Sequence, residues 1–245
     1  MPSSIGPKIV DENLIFYVDA ANEKSYPGSG NTWFDLSGSG NHAELSGTWS
    51  HDTGNTAIHL NEGAQLDGTG RANVTFSGTG GQFTIETIFR VNRYKYLASP
   101  GNMGPQIFSS GRTTGNFDRA YYMGRNSLPA GEATSAGQAY YHSGRADGPG
   151  GGADEINANT TYYTAVTVDS TGTLDIFFYR NGYQSAVDVM SGSGSFDGEW
   201  AIANQPTGID EGLDSNFHIV KVYMKVLTPE EIYRNYTAYR GRYNL

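Results

Sequence analysis

Apolar and polar residues alternate with a period of two along most of the readable chain. Phe83, Ile85, Thr87, Phe89 and Val91 point one way and Thr84, Glu86, Ile88 and Arg90 the other, the pattern of a half-buried strand. Residues 14–18, Leu-Ile-Phe-Tyr-Val, are apolar on both faces and predict a central strand covered on both sides. Residues 162–168 and 174–180 flank the turn Asp169-Ser170-Thr171-Gly172, and Asn181-Gly182, a pair suited to a two-residue hairpin, leads into a third strand over 183–189. Ala120-Tyr121-Tyr122-Met123-Gly124-Arg125 and Ala139-Tyr140-Tyr141-His142-Ser143-Gly144-Arg145 read alike and are expected to pair as neighbouring strands.

One helix is written clearly, and a strand over 217–224 feeds into it. Thr228 is placed as N-cap, Pro229 takes the first helical position, and Glu231 completes a Thr-x-x-Glu capping box; Ile232, Tyr236 and Tyr239 follow at helical spacing. The glycine-rich stretches 144–153 and 191–198 are loops, and strand signals resume on both sides of each. The expectation is an all-β chain of one domain, 1–245, closed by a short helix.

Composition narrows the classes. The 33 glycines, 17 tyrosines and 11 phenylalanines beside only 17% charged residues suit many short strands joined by turns. With no cysteine, neither a disulfide scaffold nor a thiolate metal centre is available. The apolar run at 14–18 falls far short of the roughly 20 residues that cross a bilayer, and Met1-Pro2-Ser3-Ser4 opens no signal-peptide hydrophobic region, so no membrane span and no classical export signal are expected. The net charge of −9 argues against nucleic acid, whose affinity comes from basic residues neutralising phosphates. That charge is uneven: residues 221–245 carry +3, from five basic and two acidic side chains, which leaves −12 on the rest.

The order of several motifs resembles laminin G-like, concanavalin A-like lectin and glucanase domains. They are the entry Leu14-Ile15-Phe16-Tyr17-Val18-Asp19-Ala20, then Ser25-Tyr26-Pro27-Gly28-Ser29-Gly30 and Trp33-Phe34-Asp35-Leu36-Ser37-Gly38-Ser39-Gly40-Asn41-His42. Phe83-Thr84-Ile85-Glu86, the hairpin ending in Asn181-Gly182, and the exit from Ile219-Val220-Lys221-Val222-Tyr223 to Leu227-Thr228-Pro229-Glu230-Glu231-Ile232 follow. The resemblance covers about residues 9–240 and implies a two-sheet antiparallel jelly-roll β-sandwich. The nearest look-alikes are modules of bacteriophage virion and tail proteins and of bacterial surface proteins. The departure is an insert at about 99–157, where the usual hairpin is expanded with glycine and tyrosine.

Glucanases share that fold and carry their two carboxylates on a Glu-x-Asp-x-Glu type strand, where the two-residue period sets both on one face. This sequence has no such motif; Asp197-Gly198-Glu199 is nearest, and no Gly-x-Ser-x-Gly elbow occurs. Calcium is the more plausible inorganic ligand: Asp35, Ser37 and Asn41 alternate oxygen-bearing side chains in a glycine-rich loop, as a hard cation requires, against the alternative that Asp35 caps local N–H groups. Asp210, Glu211, Asp214 and Asn216 form a second acidic loop. Glycan binding needs aromatic faces beside hydroxyl-binding groups, and Tyr121, Arg125, Tyr140, His142 and Arg145 supply both types; within each tyrosine pair one ring is expected to face the core and its neighbour to face out. Trp33, Trp49 and Trp200 read as core or loop anchors, and His42, His51 and His59 have no zinc spacing. Arg234, Tyr239, Arg240 and Arg242 form a basic patch on an acidic body, a docking surface for an acidic partner subunit or a favourable charge for the helix dipole.

The expected function is binding without catalysis: a virion surface protein, either capsid decoration or tail fibre component, that touches other virion proteins or itself and cell-surface glycans. A free-standing extracellular or cell-surface lectin is the alternative, and a glycoside hydrolase the next.

Overall fold

The two-residue period builds two antiparallel sheets whose apolar faces meet. The structure is a computed structural model that describes residues 7–61, 68–77, 80–96, 106–110, 112–113, 116–117, 120–124, 131–133, 136–142, 155–190, 196, 198–206 and 212–245. The first sheet runs Tyr183–Met190, Leu174–Arg180, Thr161–Asp169, Gln82–Val91 and Ser215–Tyr223. Beyond that last strand, Ala57–Leu60 and Trp49–Asp52 continue one half, and Leu14–Asp19 pairs with the other. The second sheet runs Glu155–Asn157, Ala136–His142, Ala120–Gly124, Gln106–Ser109, Gly198–Ile202, Arg71–Phe76, Ala43–Ser46 and Thr32–Trp33. This is the two-sheet jelly-roll sandwich with one C-terminal helix that the sequence implies.

Between the sheets, Phe16, Val18, Ile85, Phe89, Val166 and Val220 face Trp33, Val74, Phe108 and Trp200 in one buried cluster. Phe196 stacks on Trp200 with centroids 4.3 Å apart and also contacts Phe76 and Phe83. Full burial of side chains this size contributes about 1.5–3 kcal/mol each. Trp33 and Trp200 are core residues, as expected, and Trp49 packs partly buried against the same cluster.

The helix Pro229–Tyr243 forms a third layer. Thr228 and Glu231 complete the expected capping box, Thr228 N–H donating to Glu231 Oε2 at 2.9 Å and Glu231 N–H to Thr228 Oγ1 at 3.3 Å. Ile232, Tyr236 and Tyr239 bury against Ile88, Tyr163, Ala165, Tyr179, Ile219 and Tyr223 on the outer face of the first sheet. Gln82–Val91 is therefore buried on both faces over most of its length, where its alternation predicts only half burial. The turn Asn181-Gly182, with φ of 47° and 82°, lies directly under this helix.

One further expectation changes. Residues 14–18 predict a central strand, but Leu14–Asp19 pairs along one edge only, and the loop after Trp33 seals the other: Tyr17 N–H donates to Asp35 Oδ1 at 2.9 Å, Leu36 N–H to the Tyr17 carbonyl at 2.7 Å, and Asn41 Nδ2 to the Ile15 carbonyl at 2.8 Å. An exposed strand edge invites pairing with other chains, and this loop occupies it. The stretch at about 99–157 supplies four of the eight strands of the second sheet, and its three other described strands lie outside it: Arg112–Thr113 pairs with Asn116–Phe117, and Gly131–Ala133 with Tyr94–Tyr96.

Candidate functional site

The helix covers the outer face of the first sheet, while the outer face of the second carries exposed polar residues at one side and buries Ala201 and Ser109 near its middle. Residues directly opposite one another across a sheet share a face. Glu44 pairs with Asn73, Asn73 with Ala201, Ala201 with Ser109, Ser109 with Ala120 and Ala120 with His142, one register row across five strands and onto a sixth. Glu44, Thr75 and Glu199 on this face are exposed. Asn73 Nδ2 donates to Glu199 Oε1 at 3.1 Å, while Asn73 Oδ1 is buried with no hydrogen-bond partner. An unsatisfied buried carbonyl costs about 1–3 kcal/mol.

The expected pairing of the two tyrosine motifs is present: Tyr121 lies opposite Tyr141, and Tyr122 opposite Tyr140. Tyr121 is 1% exposed within the core, so it is the inward member of its pair and offers no ring to a sugar. Tyr140 and His142 sit two residues apart on Ala136–His142, at the end of the row just traced. Arg125 and Arg145 lie outside the described residues.

Asp35, Ser37 and Asn41 are brought together, but as a closed turn. Asp35 Oδ1 accepts the N–H groups of Tyr17 and Ser37, both at 2.9 Å, and Oδ2 accepts the Ser37 hydroxyl at 2.8 Å and the Asn41 N–H at 3.2 Å. Four donors use the carboxylate that a calcium ion would need, and the Asn41 side chain turns its amide N–H to Ile15. The loop shows N–H capping, the alternative weighed against the cation. Among the described residues no cluster of three or more His, Asp or Glu is arranged to hold a metal.

The basic C-terminal residues make contacts within the fold, with Arg234, Arg240 and Arg242 still exposed and Tyr239 buried. Arg242 forms two hydrogen bonds with the buried Asp19, Arg234 donates to the carbonyls of Lys8 and Ile9 at 2.6 and 3.1 Å, and Tyr239 is buried with its hydroxyl on that of Tyr17. Arg240 is exposed on the last turn. These groups tie the helix to the sheet and the N-terminal segment.

Asp214 and Asn216 of the second acidic loop join a cluster whose other members, His59, Asn92 and Asp52, the sequence did not connect to them. His59 Nε2 is 2.9 Å from Asp214 Oδ1, Asn92 Nδ2 bonds His59, Asp214 and Asn216 at 2.8–3.1 Å, and Asn216 reaches Asp52 at 3.0 Å. His59 and Asp214 are 155 positions apart, so no local spacing announces them; Asp210 and Glu211 of that acidic loop lie outside the described residues. A small cavity of about 260 Å³ opens between the sheet edges beside Ile15, Asn41, Phe76 and Met224. Asp197, one of the two nearest carboxylates to a glucanase pair, also lies outside the described residues.

Several solved structures superpose on this chain. No protein-family model and no curated protein matches the chain. The binding domain of botulinum neurotoxin DC in complex with rat synaptotagmin II superposes with a TM-score of 0.61 at 14% identity, covering 94% of this chain and 52% of that one. Domain 4 of AbnA, a GH43 extracellular arabinanase from Geobacillus stearothermophilus in complex with arabinotriose, superposes at 0.60 and 12% identity, covering 90% of this chain and 97% of that one. A botulinum neurotoxin type C structure, whose cell entry is described as dependent upon interaction with two ganglioside molecules, gives 0.60 and 14%, with 94% and 52% covered. The chain thus spans about half of each neurotoxin chain. At these identities the likeness establishes the fold, a β-sandwich shared with binding domains.

Proposed function

We propose that the chain is a non-catalytic carbohydrate-binding module whose ligand lies across the outer face of the second sheet. The observation that carries this is Asn73: its amide nitrogen is held by Glu199 while its carbonyl oxygen is unpartnered, beside the exposed Glu44, Thr75 and Glu199. Sugar hydroxyls are donors and acceptors at once and match such a mixed set of amide and carboxylate groups. The arabinanase domain, similar over nearly its whole length, was solved with an arabinose trisaccharide, which supports a glycan as the ligand class. Screening immobilised glycans with the purified protein tests this: the wild type binds a defined set, and Asn73→Ala weakens the hits about tenfold, in line with one lost hydrogen bond to a buried group.

The finer reading, from the resemblance to phage modules, places this module on a virion surface beside other virion proteins or copies of itself. Mass spectrometry of purified particles that finds the chain supports that placement. Its absence from particles with glycan binding intact favours the free-standing lectin.

A further inference from the structure

Three buried side chains from separate elements converge between the first sheet and the helix. Glu86 and Lys221 are direct cross-strand partners, and Asn235 descends on them from the helix. Lys221 Nζ lies 2.5 Å from Glu86 Oε2, and both side chains are 1% exposed. The same oxygen accepts Asn235 Nδ2 at 3.1 Å, and Glu86 Oε1 accepts it at 2.9 Å. Asn235 Oδ1 accepts the Val10 N–H at 2.8 Å, which fixes the orientation of the amide, since a backbone N–H needs an acceptor.

Aromatic groups wall the cluster. Tyr163 donates to Glu86 Oε1, the Tyr223 hydroxyl accepts from Lys221 at 3.3 Å and Asn235 at 3.1 Å, and the Tyr239 ring centroid is 4.8 Å from Lys221 Nζ. Burial holds the Lys221 ammonium below the ordinary lysine range, although Glu86 beside it pulls the other way.

A nucleophilic nitrogen, a carboxyl group that touches both that nitrogen and the amide nitrogen, and an N–H on the amide oxygen are the parts of an acyl-transfer site. We propose that Lys221 and Asn235 become joined by an intramolecular isopeptide bond, formed by the fold itself with Glu86 as the catalytic acid and base. Proton transfer from Lys221 to Glu86 frees the Nζ lone pair, which attacks Asn235 Cγ while the Val10 N–H holds the charge developing on Oδ1. Glu86 then delivers a proton to Nδ2 as the Cγ–Nδ2 bond breaks, and the proton left on Nζ restores the shuttle. An amine and a primary amide become a secondary amide and ammonia; nothing is oxidised or reduced and no co-reactant is consumed. The product ties the helix covalently to the centre of the sheet.

The intact mass of the purified chain, after incubation at 37 °C, decides the matter. The expected value is about 17 Da below the sequence mass, the loss of one ammonia, with a branched proteolytic fragment that joins Lys221 to Asn235. Lys221→Arg and Glu86→Gln keep the full mass. If either variant fails to fold, the fragment map of the wild type alone remains decisive. A wild-type mass equal to the sequence mass overturns the proposal, and so does an ammonia loss that maps elsewhere, for instance to a succinimide at Asn181-Gly182.

Discussion

Arg242 closes on Asp19 through two hydrogen bonds, Nη1 to Oδ2 at 2.7 Å and Nη2 to Oδ1 at 2.9 Å, and so fastens the last turn of the helix to the end of the first strand. The Asp19 side chain is 2% exposed, whereas that of Arg242 is 38% exposed. Asp19 also accepts the N–H of Ala21 and the Tyr17 hydroxyl. Removing the guanidinium leaves a buried carboxylate short of two donors. Arg242→Ala is expected to cost about 2 kcal/mol in urea unfolding, because hydrogen bonds to a charged buried group carry about 1.5–3 kcal/mol. Unchanged stability would mean that the helix is held without this pair.

Gly182 and Gly172 offer a paired test of the hairpins. Gly182 has φ of 82°, and an added Cβ would come within 2.6 Å of the Tyr236 ring; at Gly172 nothing lies within 4 Å. Gly182→Ala is expected to lower stability by more than about 1 kcal/mol, while Gly172→Ala stays within about 0.5 kcal/mol of the wild type. Thermal melts of the two variants side by side check this.

The capping box carries a pH signature. Burial pushes the Glu231 carboxyl up, but hydrogen bonds from Lys225 and the Thr228 N–H outweigh it and hold the group below the ordinary value of 4.5. A depressed carboxyl stabilises the fold above its unfolded-state value, and that contribution is lost as pH falls through the lowered value. The stability difference between wild type and Glu231→Gln should therefore be present at neutral pH and shrink below about pH 4. Urea titrations across that range measure it; a gap that widens in acid would contradict the assignment.

Asp35 seals a strand edge, so its loss should weaken the fold whether or not calcium is present. Asp35→Ala is expected to cost about 1–3 kcal/mol through the unsatisfied N–H groups of Tyr17 and Asn41. Melting curves in excess calcium and in chelator should coincide for the wild type. A calcium-dependent rise in melting temperature that Asp35→Ala abolishes would restore the loop as a cation site.

The alternation at 83–91, the Asn181-Gly182 hairpin and the Thr228 box were legible in the sequence because each is local: side-chain period, turn chemistry and cap occupy a few consecutive residues. The tyrosine motifs also announced their pairing by likeness. What the sequence hid depends on contacts between distant positions. The helix settles on Glu86 and Lys221 from 149 and 14 residues away, so a half-polar strand becomes buried on both faces. For Asp35 the sequence left cation ligand and N–H cap both open, and for Arg242 docking charge and helix-dipole charge, because nothing local reveals their contacts with Tyr17 and Asp19. Asn73 is marked out only by the fold, which sets its amide against Glu199, 126 positions away.

Binding of a glycan without turnover on the second sheet is the central claim. Isothermal titration of the strongest glycan from an array into wild type and Asn73→Ala, followed by analysis of the recovered sugar, tests it most directly. The account predicts saturable binding by the wild type, about tenfold weaker binding by Asn73→Ala, and intact sugar at the end. Absence of binding to every glycan tried, or release of new reducing ends, would contradict it.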